Sequence, residues 1–227
     1  LNPAALALGG MTSGISPLEL TAAYATFPNG GVYNEPITYT KVLDSHDEVI
    51  LENKAEGKQV YDEGVAWIMT DILRTTVSRG IASGASIGVQ PVGGKTGTTS
   101  DNFDIWFAGF TPQYSAAIWM GNDVNIEMSS GSGTTAHAWA TIMRQVCADI
   151  PYESFGDMPD NVQIVGGEYY IKGTYSKVKL DKSKTKTTTI SEPSTTVPTT
   201  SSTTSSQSTT APTTVATTYK CSVCGKD

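Results

Sequence analysis

Between Arg79 and Arg144 lie 64 residues with a single basic side chain, Lys95, set in Val92-Gly93-Gly94-Lys95-Thr96-Gly97-Thr98-Thr99. A lone cation beside a row of hydroxyls and free backbone N–H groups suits the holding of a carboxylate or of a developing oxyanion. The flanking glycines lack Cβ atoms, so a ligand or a second backbone can approach the strand closely. In extended chain, Lys95 and Gly97 face one side and Thr96 and Thr98 the other. A plainer reading makes Lys95 a surface lysine that keeps an edge strand from pairing with other chains; spacing alone leaves both open. A phosphate-binding loop does not fit. Gly94-Lys95-Thr96 matches the end of that pattern, but the glycine it requires five places before Gly94 is Val89. A polar turn and a strand follow Thr99, where that loop must open a helix toward the anion.

The elements that must position Lys95 are predicted from spacing. Ser16-Pro17-Leu18-Glu19 has the N-cap, N1 proline and N3 glutamate of a capping box. Leu20, Ala23, Tyr24 and Phe27 continue a helical stripe until Asn29-Gly30-Gly31 stops it. Val42-Leu43 and Val49-Ile50-Leu51 read as a short hairpin around Asp44-Ser45-His46-Asp47. Val65, Ile68, Met69, Ile72, Leu73 and Thr76 give a helix from Asp62 to Arg79, stopped by Gly80. Ile105–Phe110 and Tyr114–Met120 read as strands joined by a tight turn, with a closing helix from Thr135 to Cys147. Helices flanking an antiparallel sheet make the class α/β of the α+β type. Trp106, Phe107, Phe110 and Trp119 alternate along the strands and read as core. So does Cys147, a small residue in the closing helix.

Composition divides the chain. Before Ser176 there are 8 basic and 19 acidic residues, and from Ser176 onward 7 and 3, for a total of −7. An acidic body argues against a nucleic acid partner, which needs clustered Lys and Arg. No apolar run approaches the roughly 18 residues that span a bilayer. The chain opens on Leu1 with no basic-then-apolar leader, so it is expected to be a piece of a longer protein. From Thr185 to Thr218 the residues are mostly Thr, Ser and Pro. Such a tract has too little apolar surface to offset its ordering entropy and is expected to be a disordered stalk. The expected organisation is therefore a body over 1–160, a short strand-like extension over 161–180 and a disordered tail over 181–227. Val162, Ile164, Val165, Tyr169, Tyr170 and Ile171 around Gly166-Gly167 suit a last hairpin docked on the body.

The run GGKTGTTSDNFDIWFAGFTP resembles the K-T-G region of class A penicillin-binding proteins, the peptidoglycan-polymerising enzymes of bacteria. ALGGMTSGISPLELTAAYATFPNGGVYNEP is similar to the segment that precedes that strand in their transpeptidase domains, and the likeness covers about residues 1 to 155. The resemblance implies the penicillin-binding, serine β-lactamase-like fold, incomplete here. It implies a serine D-Ala-D-Ala transpeptidase with motifs in the order S-x-x-K, S-x-N, K-T-G. The serine attacks the D-Ala-D-Ala bond of a stem peptide, D-Ala leaves, and an amine of a neighbouring stem takes the acyl group; β-lactams acylate the same serine. Lys95 would set a positive field near the substrate carboxylate, and Thr96 and Thr98 would offer hydroxyls to it. The Thr98 N–H would be one oxyanion donor, with Gly94 and Gly97 keeping the strand face open. A glycosyltransferase domain and a membrane anchor upstream, and a place on the extracytoplasmic face of the membrane, follow from the same resemblance.

The first two motifs are expected upstream of Leu1, which would leave this chain without a nucleophile and inactive alone. Literal matches are decoys. Ser100-Asp101-Asn102 spells S-D-N but follows the K-T-G strand, and Ser176-Lys177-Val178-Lys179 and Ser183-Lys184-Thr185-Lys186 stand at the entrance to the tail. A nucleophile needs the first turn of a buried helix to hold its lysine one turn away. No cofactor is expected. His46, among turn carboxylates, lacks metal-ligand spacing, and His137, near Trp139, reads as a packing or capping histidine and not as a base. Cys221 and Cys224 form half of a zinc knuckle and stay unassigned between disulfide, free thiols and an intermolecular metal. The alternative function is a penicillin-recognising sensor or binding module that does not turn over.

Overall fold

The computed structural model describes residues 3–7 and 9–175, together with the backbone of 213–220. After a short helix α1 (Pro3–Ala7), helix α2 (Pro17–Ala25) starts on the expected capping box. The Ser16 hydroxyl accepts the Glu19 N–H at 3.2 Å, and the Glu19 carboxylate accepts the Ser16 N–H at 2.8 Å. These bonds hold the Glu19 carboxyl below its ordinary pKa. Strand β1 (Val32–Asn34) and the ribbon of β2 (Lys41–Leu43) and β3 (Val49–Glu52) follow, then β4 (Gly57–Gln59). The β2–β3 turn is tied by Asp44, whose carboxylate accepts the N–H groups of His46 and Glu48 and is thereby kept below its usual pKa. His46 is thus part of turn chemistry. Helix α3 (Glu63–Ser78) begins on an Asp62 cap and ends at Arg79.

The central sheet is antiparallel, built on β5 (Gly93–Thr98), β6 (Asp104–Phe110) and β7 (Tyr114–Gly121). Adjacent residues of β7 point to opposite faces, and their partners show what covers each. The Ser115 hydroxyl donates to the Thr21 carbonyl of α2, while Ala116 and Ile118 pack in one cluster with Trp139, Ala140 and Met143 of α4 (Gly133–Val146). Helices α2 and α4 therefore sandwich the sheet. Trp139 is fully buried, stands edge-on to Phe107 with ring centroids 5.3 Å apart, and donates its indole N–H to the Ala116 carbonyl at 3.0 Å. Cys147 closes this cluster, and burial pushes its thiol pKa up.

A last hairpin, β8 (Val162–Val165) with β9 (Glu168–Ile171), turns on Gly166 and Gly167, both at positive φ as a two-residue turn of this hand requires. It docks on the start of α3, where Tyr169 stands edge-on to Trp67 and the Asn161 amide donates to Asp62.

One expectation needs correction. Trp106 and Trp119 are half-buried and line an open cavity of ≈ 860 Å³ with the chain around Ile15, so only Phe107 and Phe110 of the four aromatics are true core. They lie where the sheet runs on toward Asp104, whose carboxylate accepts the Trp119 indole N–H. Farther along the chain, the backbone of β10 (Thr213–Lys220) pairs antiparallel with β7. A ladder on a free sheet edge uses backbone groups, so β-branched Thr and Val can join it without an apolar core of their own. The remainder of the tail, with Ser176, Ser183, Cys221 and Cys224, lies outside the described residues.

Candidate active site

Strand order β10-β7-β6-β5 puts β5 at an edge of the sheet. The direction of its backbone groups follows from the register. Lys95 stands opposite Ala108, Thr96 opposite Phe107, Gly97 opposite Trp106 and Thr98 opposite Ile105. One residue on, the Thr99 N–H donates to the Asp104 carbonyl at 3.0 Å. Backbone groups of successive strand residues point to opposite sides, so the N–H groups of Thr98 and Thr96 aim away from β6, toward the edge that no strand of the described residues covers. The Gly94 carbonyl obeys the same alternation and accepts the hydroxyl of Thr76. Helix α3 therefore caps the first half of this edge and leaves the half from Lys95 to Thr98 open.

The two threonine hydroxyls expected to serve the carboxylate together differ in exposure. Lys95 and Thr98 are exposed and Gly97 is half-buried, whereas Thr96 is only 7% exposed and lies opposite the core ring of Phe107. The Thr96 hydroxyl is thus on the covered face, and the residue reaches the open edge through its backbone. The Lys95 ammonium donates to the Thr96 carbonyl at 2.7 Å, which lays the charge along that edge. Among the described residues Lys95 has no carboxylate in salt-bridge range.

Gly94 and Gly97, on either side of Lys95 and Thr96, serve different purposes. A Cβ on Gly94 would stand 2.5 Å from the Phe107 ring and 2.7 Å from the Ala108 carbonyl, so this glycine is required by the core and not by a ligand. A Cβ on Gly97 would meet Trp106 at 3.3 Å and little else. Sequence reading missed this distinction, since both positions share one letter.

Ser100, Asp101 and Asn102 form a tight turn directly after β5, with Asp101 and Asn102 at positive φ. Ser100 is exposed and has no helix behind it, the opposite of a nucleophile's setting. His137 is exposed on α4 with its ring against Gly84. Among the described residues, the arrangement offers one cation, the outward N–H groups of Thr96 and Thr98 and the outward Thr96 carbonyl on an open strand edge. It can bind an extended chain bearing a carboxylate and place a carbonyl against an N–H.

Residues 2–147 match the family model described as the penicillin binding protein transpeptidase domain. Penicillin-binding protein 1A of Clostridium acetobutylicum is 41% identical over 199 residues, which is 87% of this chain and 24% of that protein. Penicillin-binding protein 1F of Bacillus subtilis is 39% identical over 150 residues, 62% of this chain and 21% of that protein. The solved structure of penicillin-binding protein PonA1 from Mycobacterium tuberculosis is similar with a TM-score of 0.57 at 25% identity, over 70% of this chain and 44% of that one. That of penicillin-binding protein 1A from Haemophilus influenzae gives a TM-score of 0.57 at 22% identity, over 70% and 32%. The chain thus spans about a quarter of the length of the curated relatives it matches. Among the described residues, no helix is long and apolar enough to cross a membrane.

Proposed function

Since the chain belongs to the penicillin-binding protein transpeptidase family, we propose that it supplies the substrate-binding strand of a serine D,D-transpeptidase that cross-links peptidoglycan stem peptides. The serine and its activating lysine, with the S-x-N motif, come from a part of the protein outside this chain. In the reaction the serine Oγ attacks the carbonyl between the two terminal D-Ala residues and its proton passes to a neighbouring base. The carbon–nitrogen bond breaks, and D-Ala leaves with a proton on its nitrogen. The amine of a second stem peptide then displaces the serine. Lys95 holds the terminal carboxylate of the donor, the Thr98 hydroxyl adds a second contact, and the Thr98 N–H stabilises the oxyanion of each tetrahedral intermediate. Thr96 and Gly97 form the strand edge along which the donor lies. β-Lactams enter the same place and acylate the same serine. An upstream glycosyltransferase domain, a membrane anchor and an extracytoplasmic location complete this reading. It rests chiefly on one observation: the Thr98 N–H and the Lys95 charge share the uncovered edge of β5.

The purified 227-residue chain is expected to take no covalent label from a fluorescent penicillin, while the full-length protein labels readily on a denaturing gel. With the nucleophile absent, only binding contributions remain. A covalent band on the isolated chain that disappears on replacing Ser100, Ser176 or Ser183 would place a nucleophile inside this chain and defeat the reading. A full-length protein that binds penicillin reversibly and never labels would favour the sensor alternative.

A further inference from the structure

Thr98 is the last residue of β5, and the chain leaves the sheet at Thr99. There it is held by one side chain. The Thr99 N–H donates to the Asp104 carbonyl at 3.0 Å, and the Asp104 N–H donates to the Thr99 hydroxyl oxygen at 2.8 Å. The Thr99 hydroxyl in turn donates to the Asp104 carboxylate at 3.3 Å. The other carboxylate oxygen of Asp104 accepts the indole N–H of Trp119, on β7, at 2.8 Å. A single carboxylate thus ties the end of β5 to β7 across β6. A Cβ on Gly121, the residue opposite Asp104, would stand 3.0 Å from that carboxylate and 2.5 Å from the Trp119 ring, so this glycine leaves the two room to meet. The latch works against the turn that follows. Asp101 and Asn102 stand at φ 59° and 52°, the left-handed region that side chains disfavour. The turn is pinned on its far side by the Met128 N–H, which donates to the Asn102 carbonyl at 2.9 Å.

The Thr98 N–H itself bonds nothing in the sheet, so its direction is set by the residues on either side. Gly97 is fixed within the ladder opposite Trp106, while the bonds of Thr99 toward the sheet all go to Asp104. We propose that Asp104 is a positioning residue for acyl transfer: with Thr99 and Trp119 it fixes the aim of the Thr98 N–H. The proposal rests on the reading of Thr98 as an oxyanion donor and deepens it. An oxyanion exists only once the carbonyl has been attacked, so a donor that wanders weakens the transition state more than the initial complex. Lys95, three residues back in the strand, still holds the carboxylate. Asp104 should therefore act on the chemical step and leave the first binding step alone.

The test measures acylation of the full-length protein over a range of concentrations of a chromogenic β-lactam, which separates the Kd of the initial complex from the limiting acylation rate. Asp104→Ala and Thr99→Val are each expected to lower the limiting rate about tenfold to thirtyfold and to change Kd by less than about twofold, as a misaimed donor implies. Asp104→Asn should recover most of the rate, because its amide can still accept the indole N–H and donate to the Thr99 oxygen. Thr99→Val keeps the β-branched shape, so it serves even where Asp104→Ala does not fold. A wild-type limiting rate in Thr99→Val would overturn the proposal. A raised Kd at an unchanged limiting rate would overturn it too. So would a smaller labelled fraction and a lowered Tm with the rate constant kept, since Asp104 would then be a structural clamp only. A wild-type protein that takes no label would sink the reading of Thr98, and this proposal with it.

Discussion

Replacing Lys95 by alanine in the full-length protein is expected to slow acylation by a β-lactam by roughly 10- to 150-fold, with Tm almost unchanged. The size follows from the contact removed: a hydrogen bond to a charged group is worth about 1.5–3 kcal/mol, and each 1.4 kcal/mol is a factor of ten. The near-constant Tm follows from exposure, because Lys95 is exposed and, among the described residues, its ammonium bonds only the adjacent Thr96 carbonyl. Lys95→Arg should restore only part of the rate, since a planar guanidinium carries its charge farther out and in a fork. The measurement is the second-order acylation rate beside a thermal melt. An unaffected rate with a collapsed Tm would make Lys95 an edge-protecting lysine and nothing more.

The second large effect concerns the scaffold. Trp139→Ala is expected to destabilise the protein by about 3–5 kcal/mol, the range for truncating a buried aromatic to alanine. Three losses combine at this site: the fully buried ring, its edge-on contact with Phe107, and the indole N–H bond that would leave the Ala116 carbonyl without its partner. Phe107 sits opposite Thr96 and beneath Gly94, so a cavity here removes support from the strand that carries Lys95. Penicillin labelling should then decline along with stability, unlike the separation expected for Lys95→Ala. Trp139→Phe should cost less, because it keeps a ring against Phe107. A urea midpoint for Trp139→Ala within error of wild type would show that the α4 face of the sheet does not bear on the site.

Much of this architecture was legible because its signals are local. Ser16 and Glu19 announce α2 through two reciprocal bonds three residues apart, and Gly166-Gly167 announces its hairpin because both residues need positive φ. The side-chain alternation of Lys95, Thr96, Gly97 and Thr98 was legible for the same reason. What escaped depends on distant partners. β1 and β4 are three residues each and find one another across the whole β2–β3 ribbon, with no period long enough to register. Trp106 and Trp119 alternate like core residues, yet they line a cavity beside the chain around Ile15 and stay half-buried. The site was half visible: the sequence marked Lys95 and its neighbours, but which edge their backbone faces depends on β6, and the latch beside Thr98 depends on Asp104 and on Trp119 of β7.

The central claim is that Lys95 and Thr98 serve a serine nucleophile contributed from outside these 227 residues. Its most direct test is to acylate the full-length protein with a penicillin, digest it, and identify the modified peptide by mass spectrometry. The account predicts a single acylated serine in a segment preceding this chain's Leu1, with the extent of labelling reduced by Lys95→Ala. Acylation on Ser100, or on any other residue of the sequence shown, would contradict it.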